Sequence, residues 1–515
     1  MRPAGARPTI GFVSLGCPKN LVDSEVMMGL LHRAGGELTA RAEDAEILVV
    51  NTCSFIDSAK QESVNTILEM VQHKVASGGK ARRLIVAGCL VERYRDEIRR
   101  NIPEVDAVVG TGELEAILEA AGLSAPVAAV ESASPFNILV SRAPSAVHQH
   151  SHPTEVGAQL EIAKGAKPSR AEGDARERQG RFSREHWDGA TAALPEYLYS
   201  DETPRILTTP RASAYIKIAE GCDHPCSFCI IPQLRGKFRS RRLESIVAEA
   251  ERLIAQGVRE ITLIGQDTTC WGEDLGLKDG LATLLDSLAV LPGLKWLRFL
   301  YAYPNKITTR LLETIARHGN IAKYLDVPLQ HASPSVLKRM KRGGTPEVFL
   351  RLIEKARATV PGIVLRSTFI VGFPGETEED FQQLCDFVAA AKIDWLGVFS
   401  YSDEEGAAAF ELDAAIKVPK RTIEARRRRL MKLQQKISAR LKAAWVGREV
   451  DVLVEGESEE TELLWQGRTA LHAPEIDGKV LINDFGPHET LVPGTFYRAE
   501  ITESHEYDVV ARIIE

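Results

Sequence analysis

The chain has 515 residues, of which 44% are apolar and 26% are charged, and its formal net charge is −7. This length predicts about three domains, and the apolar share is large enough to build sizeable cores. No signal-like segment opens the sequence, and no apolar stretch approaches the roughly 20 residues that a membrane-spanning helix needs. We therefore expect a cytoplasmic protein whose eight cysteines stay reduced, with no disulfide partner, and are available to bind metal.

The first part of the chain alternates apolar runs with helix-like stretches. The runs cover residues 10–13, 47–50 and 84–86, and the helix-like stretches include 57–76 and 94–101. Continuous apolar runs are typical of parallel strands that are covered on both faces. We therefore predict that residues 1–130 form an N-terminal parallel α/β sandwich.

A cysteine follows each of these three runs, namely Cys17, Cys53 and Cys89. Because the carboxyl ends of neighbouring parallel strands meet at one crevice, we expect the three thiols to lie together. Three thiolates on one metal centre leave a coordination position open, so the pattern predicts a metal site. The alternative is three unrelated buried cysteines, a common environment for a free thiol, but the equivalent placement at three strand ends favours the metal site.

Residues 131–205 differ in composition from the regions on either side. Pro, Ser, Ala, Arg and Glu dominate, and the apolar periodicity disappears. Such a segment cannot bury enough apolar surface to fold alone, so we interpret it as a low-complexity linker or insertion. Its His148, His150 and His152 could form a metal-binding tract, although solvated loop histidines are the simpler interpretation.

Six strand-like runs alternate with amphipathic stretches between residues 206 and 440. The runs cover residues 215–218, 261–264, 297–301, 324–327, 364–371 and 396–401. Six successive strand–helix units predict a parallel, partly closed (β/α)6 barrel. In such barrels the loops that follow the strands, at the C-terminal face, carry the chemistry.

The loop after the first of these strands contains Cys222, Cys226 and Cys229, with the spacing C-x3-C-x2-C. Cysteine thiolates hold iron–sulfur clusters, normally with four protein ligands. No fourth cysteine lies nearby in the sequence, so one iron would stay open to a substrate or cofactor. A zinc site is the alternative, but zinc prefers four ligands that come in paired C-x2-C halves.

Further candidates follow the other strands. Polar and glycine-rich runs occupy residues 265–269 (GQDTT), 330–331 (QH) and 372–377 (GFPGET). We predict that five residues, chosen from strand-end positions and from the cysteine loop, contact the cofactor: Phe228, Gln266, Gln330, Arg366 and Gly372. Cys270 and Cys385 are interpreted as structural.

The last region, residues 441–515, contains short strands separated by Gly and Pro turns, which predicts a small all-β barrel. Residues 447–515 hold sixteen acidic and five basic side chains, a net charge of −11. The preceding stretch, residues 417–442, is a strongly basic helix with one acid. It is either a solvated face that balances the acidic barrel or an RNA-binding surface, and the sequence favours neither.

The cysteine spacing at residues 222–229 resembles that of the radical S-adenosylmethionine enzymes, and the additional triad Cys17, Cys53 and Cys89 resembles that of their methylthiotransferase family. One branch of that family modifies tRNA adenosine, and the RimO branch modifies an aspartate of small-subunit ribosomal protein twelve. The runs similar to RimO are 14–20 (SLGCPKN), 325–333 (LDVPLQHAS), 397–406 (GVFSYSDEEG) and 473–478 (APEIDG). The long insertion and residues 394–396 (DWL) depart from that pattern.

The resemblance implies two [4Fe–4S] clusters, one held by each cysteine triad, together with S-adenosylmethionine and a C-terminal TRAM-like barrel. It implies that Cys222, Cys226 and Cys229 are catalytic, that a radical abstracts hydrogen from the aspartate β-carbon, and that a methylthio group is then added. The implied partners are the ribosomal protein and an electron donor such as flavodoxin.

The charge of the C-terminal barrel bears on the choice of branch. A surface that binds RNA needs Lys and Arg to neutralise phosphates, whereas a barrel at −11 complements a basic ribosomal protein. Methylthiolation of tRNA adenosine stays open as an alternative function. An iron–sulfur protein for electron transfer or sensing, without catalytic turnover, is an alternative of a different class.

Overall fold

The structure is a computed structural model that describes residues 7–124, 194–458, 461 and 464–515. Two compact units divide the chain, one within residues 1–197 and 204–208 and the other within 198–203 and 209–515. Most of the proposed linker, including its three histidines, lies outside the described residues, so its assignment stays a prediction. Among the described helices, none is both long enough and apolar enough to span a membrane.

The first unit contains a parallel sheet in the order β2-β1-β3-β4-β5. Its strands are β1 (Thr9–Ser14), β2 (Glu37–Thr39), β3 (Ile47–Thr52), β4 (Arg83–Gly88) and β5 (Ala107–Val109). Its helices are α1 (Pro18–Arg33), α2 (Asp57–Val71), α3 (Cys89–Asn101) and α4 (Ile117–Ala121). The central strands β3 and β4 are almost wholly buried, which explains their continuous apolar sequences. The predicted parallel α/β fold is confirmed.

Two helices of this unit differ from the predicted bounds. Helix α2 ends at Val71 rather than at residue 76, because the next residues form a turn in which the Val75 and Ala81 backbones are hydrogen-bonded to each other. Helix α3 begins earlier than predicted, at Cys89, and its backbone is kinked at Tyr94. The early start matters for function, since it makes a predicted metal ligand the first residue of a helix.

The second unit begins with the predicted barrel. Its strands are β6 (Ser213–Lys217), β7 (Ala219–Glu220), β8 (Arg239–Ser240), β9 (Glu260–Ile264), β10 (Trp296–Phe299), β11 (Tyr324–Asp326), β12 (Val364–Val371) and β13 (Trp395–Ser400). Strands β7 and β8 form a short hairpin beside the cysteine loop. The other six form two parallel sheets, β6-β9-β10 and β11-β12-β13. This confirms the six predicted strands and the partial barrel.

Helices separate the barrel strands. They are α5 (Ile231–Arg235), α6 (Leu243–Ala255), α7 (Gly280–Ala289), α8 (Thr309–Arg317), α9 (Pro334–Arg339), α10 (Pro346–Thr359), α11 (Glu378–Ala391) and α12 (Lys420–Ala443). Helix α11 begins where the glycine-rich run 372–377 ends. Thr377 and Asp380 cap it reciprocally, each side chain accepting a hydrogen bond from the other's backbone N–H. The sequence GFPGET is therefore a turn that leads into a capped helix.

The C-terminal strands close into a small barrel in the order β14-β15-β16-β18-β17. They are β14 (Glu449–Glu457), β15 (Trp465–Arg468), β16 (Val480–Asp484), β17 (Phe496–Ser504) and β18 (Val509–Ile513). The predicted all-β barrel is thus confirmed. It is tied to the larger barrel by Arg468, whose buried guanidinium donates to Glu260 at 2.7 Å, at the amino end of β9. Arg298 pairs with the same carboxylate, so this end of the larger barrel is filled by ion pairs.

Candidate active site

The loop with Cys222, Cys226 and Cys229 lies between β7 and α5, on the side of the barrel where the strands end. Gly221 has a φ of +79°, and a Cβ at this position would lie 2.1 Å from the Lys237 carbonyl oxygen. Only glycine fits this close approach of two backbone segments. The loop is closed by its own hydrogen bonds, including the Cys229 N–H, which donates to the Cys226 carbonyl oxygen at 3.2 Å.

The end of helix α9 and the turn at Ala409 hold the cysteine loop in place through Ser227. The Ser227 N–H donates to the Met340 carbonyl oxygen at 3.0 Å, and the Ser227 hydroxyl donates to the Arg339 carbonyl oxygen at 2.8 Å. The Ser227 carbonyl oxygen in turn accepts from the Ala409 N–H at 2.7 Å. These bonds use backbone atoms from distant parts of the sequence, so the positions of the three sulfurs depend on the folding of the whole barrel.

Arg342 adds a positive charge beside the sulfurs. Its guanidinium lies 3.5 Å from the Cys226 Sγ and donates to the Pro328 carbonyl oxygen at 2.8 Å. The Cζ of Arg342 lies over the Tyr303 ring, 4.5 Å from the ring centroid. This positive charge partly opposes the effect of burial on the pKa of Cys229. The sequence analysis did not identify Arg342, because it lies 113 positions beyond Cys229 and no local motif marks it.

The cysteine loop fits an iron–sulfur cluster. Burial raises the pKa of Cys222 to about 11 and that of Cys229 to about 12, so these groups keep their protons unless a cation replaces them. A bound metal supplies that positive charge and deprotonates coordinating thiols. Three soft sulfur donors from one loop suit an iron–sulfur cluster with one open coordination position.

His224, between the first two cysteines, is held on two sides. Its Nε2 lies 2.6 Å from the Asp267 Oδ2, and its ring stacks on Tyr303 with the ring centroids 3.8 Å apart. Although burial opposes ionisation, hydrogen bonds from His224, Thr269 and Cys270 keep the pKa of Asp267 below its usual value. The side chains of His224, Asp267 and Cys270 thus form one hydrogen-bonded group next to the cysteine loop.

Cys270 and Cys385 are the two cysteines outside the triads. The Cys270 Sγ donates to the Asp267 Oδ2 at 3.0 Å, so Cys270 belongs to the site, although the sequence indicated only a structural role. The signal that could have identified this group is the run GQDTT, which puts a carboxylate, hydroxyls and a thiol at one strand end. Cys385 lies on α11, where burial raises its pKa to about 11.

Gln266 lies at the end of β9, as predicted, and its side-chain amide is oriented by Glu220. The Gln266 Nε2 donates to the Glu220 carboxylate at 2.6 Å, while the Gln266 Oε1 is buried and has no hydrogen-bond partner in the described part of the chain. Although burial opposes ionisation, Lys217 and Arg235 hold the pKa of Glu220 at about 2. The unpaired Oε1 fits a ligand that carries an N–H donor, such as the amino group of S-adenosylmethionine.

Gly372 and Gln330 both have left-handed backbones at strand ends. Gly372 has a φ of +80°, and a Cβ there would lie 2.3 Å from the Ile423 side chain, so the chain requires glycine. Gln330, with a φ of +72°, follows β11 and exchanges backbone hydrogen bonds with β12. Phe228 is half-buried and packs against the apolar cluster that includes Met340 and Phe373.

The reasoning that selected Arg366 was wrong. Arg366 is the third residue of the eight-residue strand β12 and does not lie at its carboxyl end. Its buried guanidinium pairs with Asp326 at 2.8 Å and lies 3.7 Å from Asp477 of the small barrel. These carboxylates engage the positive charge, so the strand-end argument for a cofactor contact does not hold.

Two buried titratable groups lie beside the turn at residues 372–377. Burial raises the pKa of Glu376 to about 7, although Arg426 opposes the shift, and burial lowers the pKa of His331 to about 3. The Glu376 carboxylate accepts hydrogen bonds from the Gly372 and Phe373 N–H groups. His331 is therefore neutral at physiological pH and does not serve as a proton donor there.

In the first unit, Cys17, Cys53 and Cys89 follow β1, β3 and β4, which are neighbours in the sheet. Gly16 has a φ of +90°, and a Cβ there would lie 2.7 Å from the Cys53 Cβ and 3.0 Å from its Sγ. The Ser54 hydroxyl donates to the Cys89 carbonyl oxygen at 3.0 Å. The strand order reverses between β1 and β3, and the ends of such strands form a crevice.

Polar side chains form hydrogen bonds with the backbone around the crevice. The Asn20 amide donates to the Leu15 carbonyl oxygen at 2.7 Å, and the Asn51 amide donates to the Asn20 carbonyl oxygen at 2.8 Å. The Cys53 N–H donates to the Ser63 hydroxyl at 3.0 Å. The donor set of three thiols at adjacent strand ends fits a second iron–sulfur cluster with an open position.

Comparison with known proteins gives full-length relatives. The chain is 66% identical over 505 residues to the ribosomal protein uS12 methylthiotransferase RimO of Koribacter versatilis, covering 98% of this chain and 96% of the relative. It is 54% identical to the protein of the same name from Solibacter usitatus, over 98% and 94% of the two chains. The chain belongs to the RimO family of ribosomal protein uS12 methylthiotransferases. The RimO branch predicted from the sequence is therefore confirmed.

Three family models match successive parts of this RimO family member. Residues 9–110 match the uncharacterized protein family UPF0004, residues 216–388 match the radical SAM superfamily, and residues 446–514 match the TRAM domain. Among solved structures, the radical S-adenosylmethionine methyltransferase TsrM from Kitasatospora setae aligns with a TM-score of 0.47 and 18% identity, over 77% of this chain and 72% of that one.

Proposed function

We propose that the chain is a radical S-adenosylmethionine methylthiotransferase that adds a methylthio group to the β-carbon of an aspartate in ribosomal protein uS12. The observation that carries the proposal is the 66% identity, over 98% of the chain, to a relative named for this activity. The two cysteine triads at strand ends agree with it, because methylthio transfer needs both a radical at carbon and a source of sulfur.

The six cysteines are the proposed cluster ligands. Cys222, Cys226 and Cys229 would hold one [4Fe–4S] cluster, and Cys17, Cys53 and Cys89 would hold the other. A cluster bound at Cys222, Cys226 and Cys229, with one open iron, would supply the electron that cleaves S-adenosylmethionine. The resulting radical can abstract hydrogen from a C–H bond that is too weakly acidic for a general base to deprotonate. S-Adenosylmethionine would also be the methyl source.

The protein groups around Cys222, Cys226 and Cys229 orient and shield the reactants. Gln266 presents its free Oε1 to a donor on the cofactor. Gly372, which follows β12, is the proposed backbone contact. Arg342 places positive charge 3.5 Å from the Cys226 sulfur. We propose Phe228 and Gln330 as further cofactor contacts of the same site.

The acidic C-terminal barrel is the proposed docking surface for the basic ribosomal protein. Its described acidic residues are not equally available to bind a basic partner, because Glu455 is paired with Arg468 at 2.6 Å. Glu457, Glu489, Glu503 and Glu506 are exposed and have no ion-pair partner in the described part of the chain. Complementary charge mainly raises the association rate. We also propose a cytoplasmic reaction, where uS12 is found, with a flavodoxin-type electron donor.

Mass spectrometry of uS12 and of tRNA from a deletion strain tests the proposal. We expect uS12 to lose its methylthio group and tRNA to keep all of its modifications, and the parent gene to restore uS12. The triple variant Cys222→Ala, Cys226→Ala, Cys229→Ala should not restore it. Loss of a methylthio group from tRNA alone would overturn the proposal in favour of the tRNA branch, and restoration by the triple variant would favour a protein without radical chemistry.

A further inference from the structure

Helix α12 carries two rows of side chains on opposite faces, each with a spacing of four residues. The buried row consists of Arg426, Leu430, Gln434, Ser438 and Lys442. The exposed row consists of Arg428, Lys432, Lys436 and Arg440, each two positions after a buried residue. Two positions correspond to a rotation of about 200° around the helix axis, so the second row points away from the protein.

Most other cations of this helix have partners within the protein. Arg426 pairs with Glu376 at 3.1 Å and Arg429 with Glu378 at 2.5 Å, and Arg427 donates to the Val398 carbonyl oxygen at 3.3 Å. Lys442 is buried between two tryptophan rings, with its Nζ 3.4 Å from the centre of the Trp395 ring. These residues fix α12 on the barrel and explain part of its basic composition.

The exposed row has no such explanation. Lys432, Lys436 and Arg440 have no hydrogen bond or ion pair with any residue in the described part of the chain, and Arg428 donates only to a backbone oxygen of its own helix, at 3.4 Å. The one acid of the helix, Glu424, accepts a hydrogen bond from Ser400. Like charges four residues apart destabilise a helix, so the row costs the fold some stability.

The charge-balance interpretation of this helix predicts pairing with the acidic barrel. No carboxylate of the described barrel residues lies within ion-pair distance of the exposed row. Charges farther apart than about 8–10 Å are largely screened at physiological salt. Beyond that distance, balancing the charge of the barrel depends on the number of cations and not on their arrangement. It therefore explains neither the single row nor the regular spacing of these four side chains. A polyanion with repeating charges explains the row and the spacing.

We propose that Arg428, Lys432, Lys436 and Arg440 bind the phosphate backbone of the ribosomal RNA that surrounds uS12. The inference rests on the proposed function, which brings the enzyme to a ribosomal protein. Side chains spaced about 6 Å apart along the helix contact successive phosphates and read no sequence. The acidic barrel repels RNA, so the helix is the part of the second unit suited to this contact.

The basic row and the acidic barrel are held rigidly together. Helix α12 ends at Ala443 and β14 begins at Glu449. The Gly447 N–H donates to the Ile501 carbonyl oxygen at 2.8 Å, and the Ile501 N–H donates to the Arg448 carbonyl oxygen at 2.9 Å. One rigid body thus presents a negative surface to a basic protein and a positive row to the RNA next to it.

The test uses two variants of the iron-loaded full chain that remove the same number of positive charges. The first carries Arg428→Gln, Lys432→Gln, Lys436→Gln and Arg440→Gln, which preserve helix propensity. The control carries Arg100→Gln, Lys278→Gln, Arg351→Gln and Lys355→Gln, all exposed and on other elements. Binding to purified small ribosomal subunits, to protein-free small-subunit RNA and to free uS12 is measured as salt is varied.

We expect a specific change in salt dependence for the first variant. Each lost phosphate contact lowers the slope of log K against log salt by about 0.7–0.9, so four contacts lower it by about 3. Between roughly 50 and 200 mM salt, the parent should lose about 50- to 150-fold more affinity for subunits and for bare RNA than the variant loses. The control should have the parent slope, and binding to free uS12 should be the same for all three proteins.

Equal slopes for the first variant and the control would overturn the proposal, and so would a loss of affinity for free uS12, which would indicate a protein surface. The RNA arm contains no uS12 and measures no modification. A failure of the proposed function, seen as unmodified tRNA or normal uS12 in the deletion strain, is therefore distinguishable from a failure of RNA binding.

Discussion

The two cysteine triads provide similar donor sets but are built in different ways. Cys222, Cys226 and Cys229 come from one loop of eight residues, whereas Cys17, Cys53 and Cys89 follow three separate strands and are spread over 73 residues. Cys222, Cys226 and Cys229, the second-unit triad, are local in sequence, but their geometry depends on backbone hydrogen bonds from distant segments. Cys17, Cys53 and Cys89, the first-unit triad, are far apart in sequence, and their geometry follows directly from the strand order.

This difference determines how each triad can fail. In the second unit, a change at Met340 or Ala409 can displace the cysteine loop, because their backbones hold Ser227. In the first unit, the register of β1, β3 and β4 carries the cysteines, so only loss of the sheet or a steric change at a strand end separates them. We expect the second-unit triad to be sensitive to barrel packing and the first-unit triad to be sensitive to local sterics.

The largest expected effect comes from removing the second-unit triad. Replacing Cys222, Cys226 and Cys229 with Ala should abolish formation of 5′-deoxyadenosine from S-adenosylmethionine and leave about half of the iron, because three thiolates are the minimum for a site-differentiated cluster. Iron analysis and chromatography of the nucleoside measure both. The assignment is wrong if the variant still forms 5′-deoxyadenosine.

Removing the first-unit triad should give the complementary result. With Cys17, Cys53 and Cys89 replaced by Ala, about half of the iron should again be lost, but 5′-deoxyadenosine should still form, since the second-unit triad is intact. Methylthio transfer to uS12 should disappear, as seen by mass spectrometry of the purified protein. Methylthiolated uS12 from this variant would contradict a sulfur-transfer role for the first-unit triad.

Sequence reasoning identified the strands and the cysteines because both have strong local signals. Strand β12 matches its predicted bounds, residues 364–371, since apolar residues at both of its ends mark them in the sequence. It failed where a side chain finds its partner across the fold. Arg366 pairs with Asp326 and lies near Asp477 of the small barrel, and neither partner is visible in the sequence.

The polar residues around Cys226 show the same limit. Gln266 was predicted because it follows a strand, while Arg342 and Tyr303 were missed although they lie beside the cysteine loop. Both sit in loops of other strand–helix units, and only the curvature of the barrel brings them to the cysteines. His224 carried a weak signal, since it lies within the cysteine motif itself.

A glycine comparison tests the steric sensitivity of the first-unit triad. Gly16 and Gly35 have similar φ values, +90° and +93°, but a Cβ on Gly16 would meet Cys53 at 2.7 Å, while a Cβ on Gly35 would meet no atom within 4 Å. Both Ala variants should lose about 1–2 kcal/mol of stability from the left-handed backbone. Only Gly16→Ala should also lose iron from the first unit.

Thermal unfolding and iron content of the two variants separate these effects. Equal iron in Gly16→Ala and Gly35→Ala would mean that Cys53 does not need the space beside Gly16. The second unit offers a parallel pair: a Cβ on Gly221 would meet a backbone oxygen at 2.1 Å, and a Cβ on Gly257 would meet no atom within 4 Å. We expect loss of 5′-deoxyadenosine formation in Gly221→Ala and its retention in Gly257→Ala.

The smallest expected effect concerns Arg342, the cation beside Cys226 in the second-unit triad. At 3.5 Å, its guanidinium makes a long, weak contact with the Cys226 sulfur, and hydrogen bonds to cluster sulfurs tune the reduction potential. Arg342→Gln should retain all of its iron but lower the reduction potential of one cluster and slow S-adenosylmethionine cleavage several-fold. Arg342→Lys keeps the charge and should recover part of the rate. Redox titration followed by electron paramagnetic resonance measures the potential, and a potential and rate equal to those of the parent in Arg342→Gln would show that the guanidinium only holds the Pro328 loop.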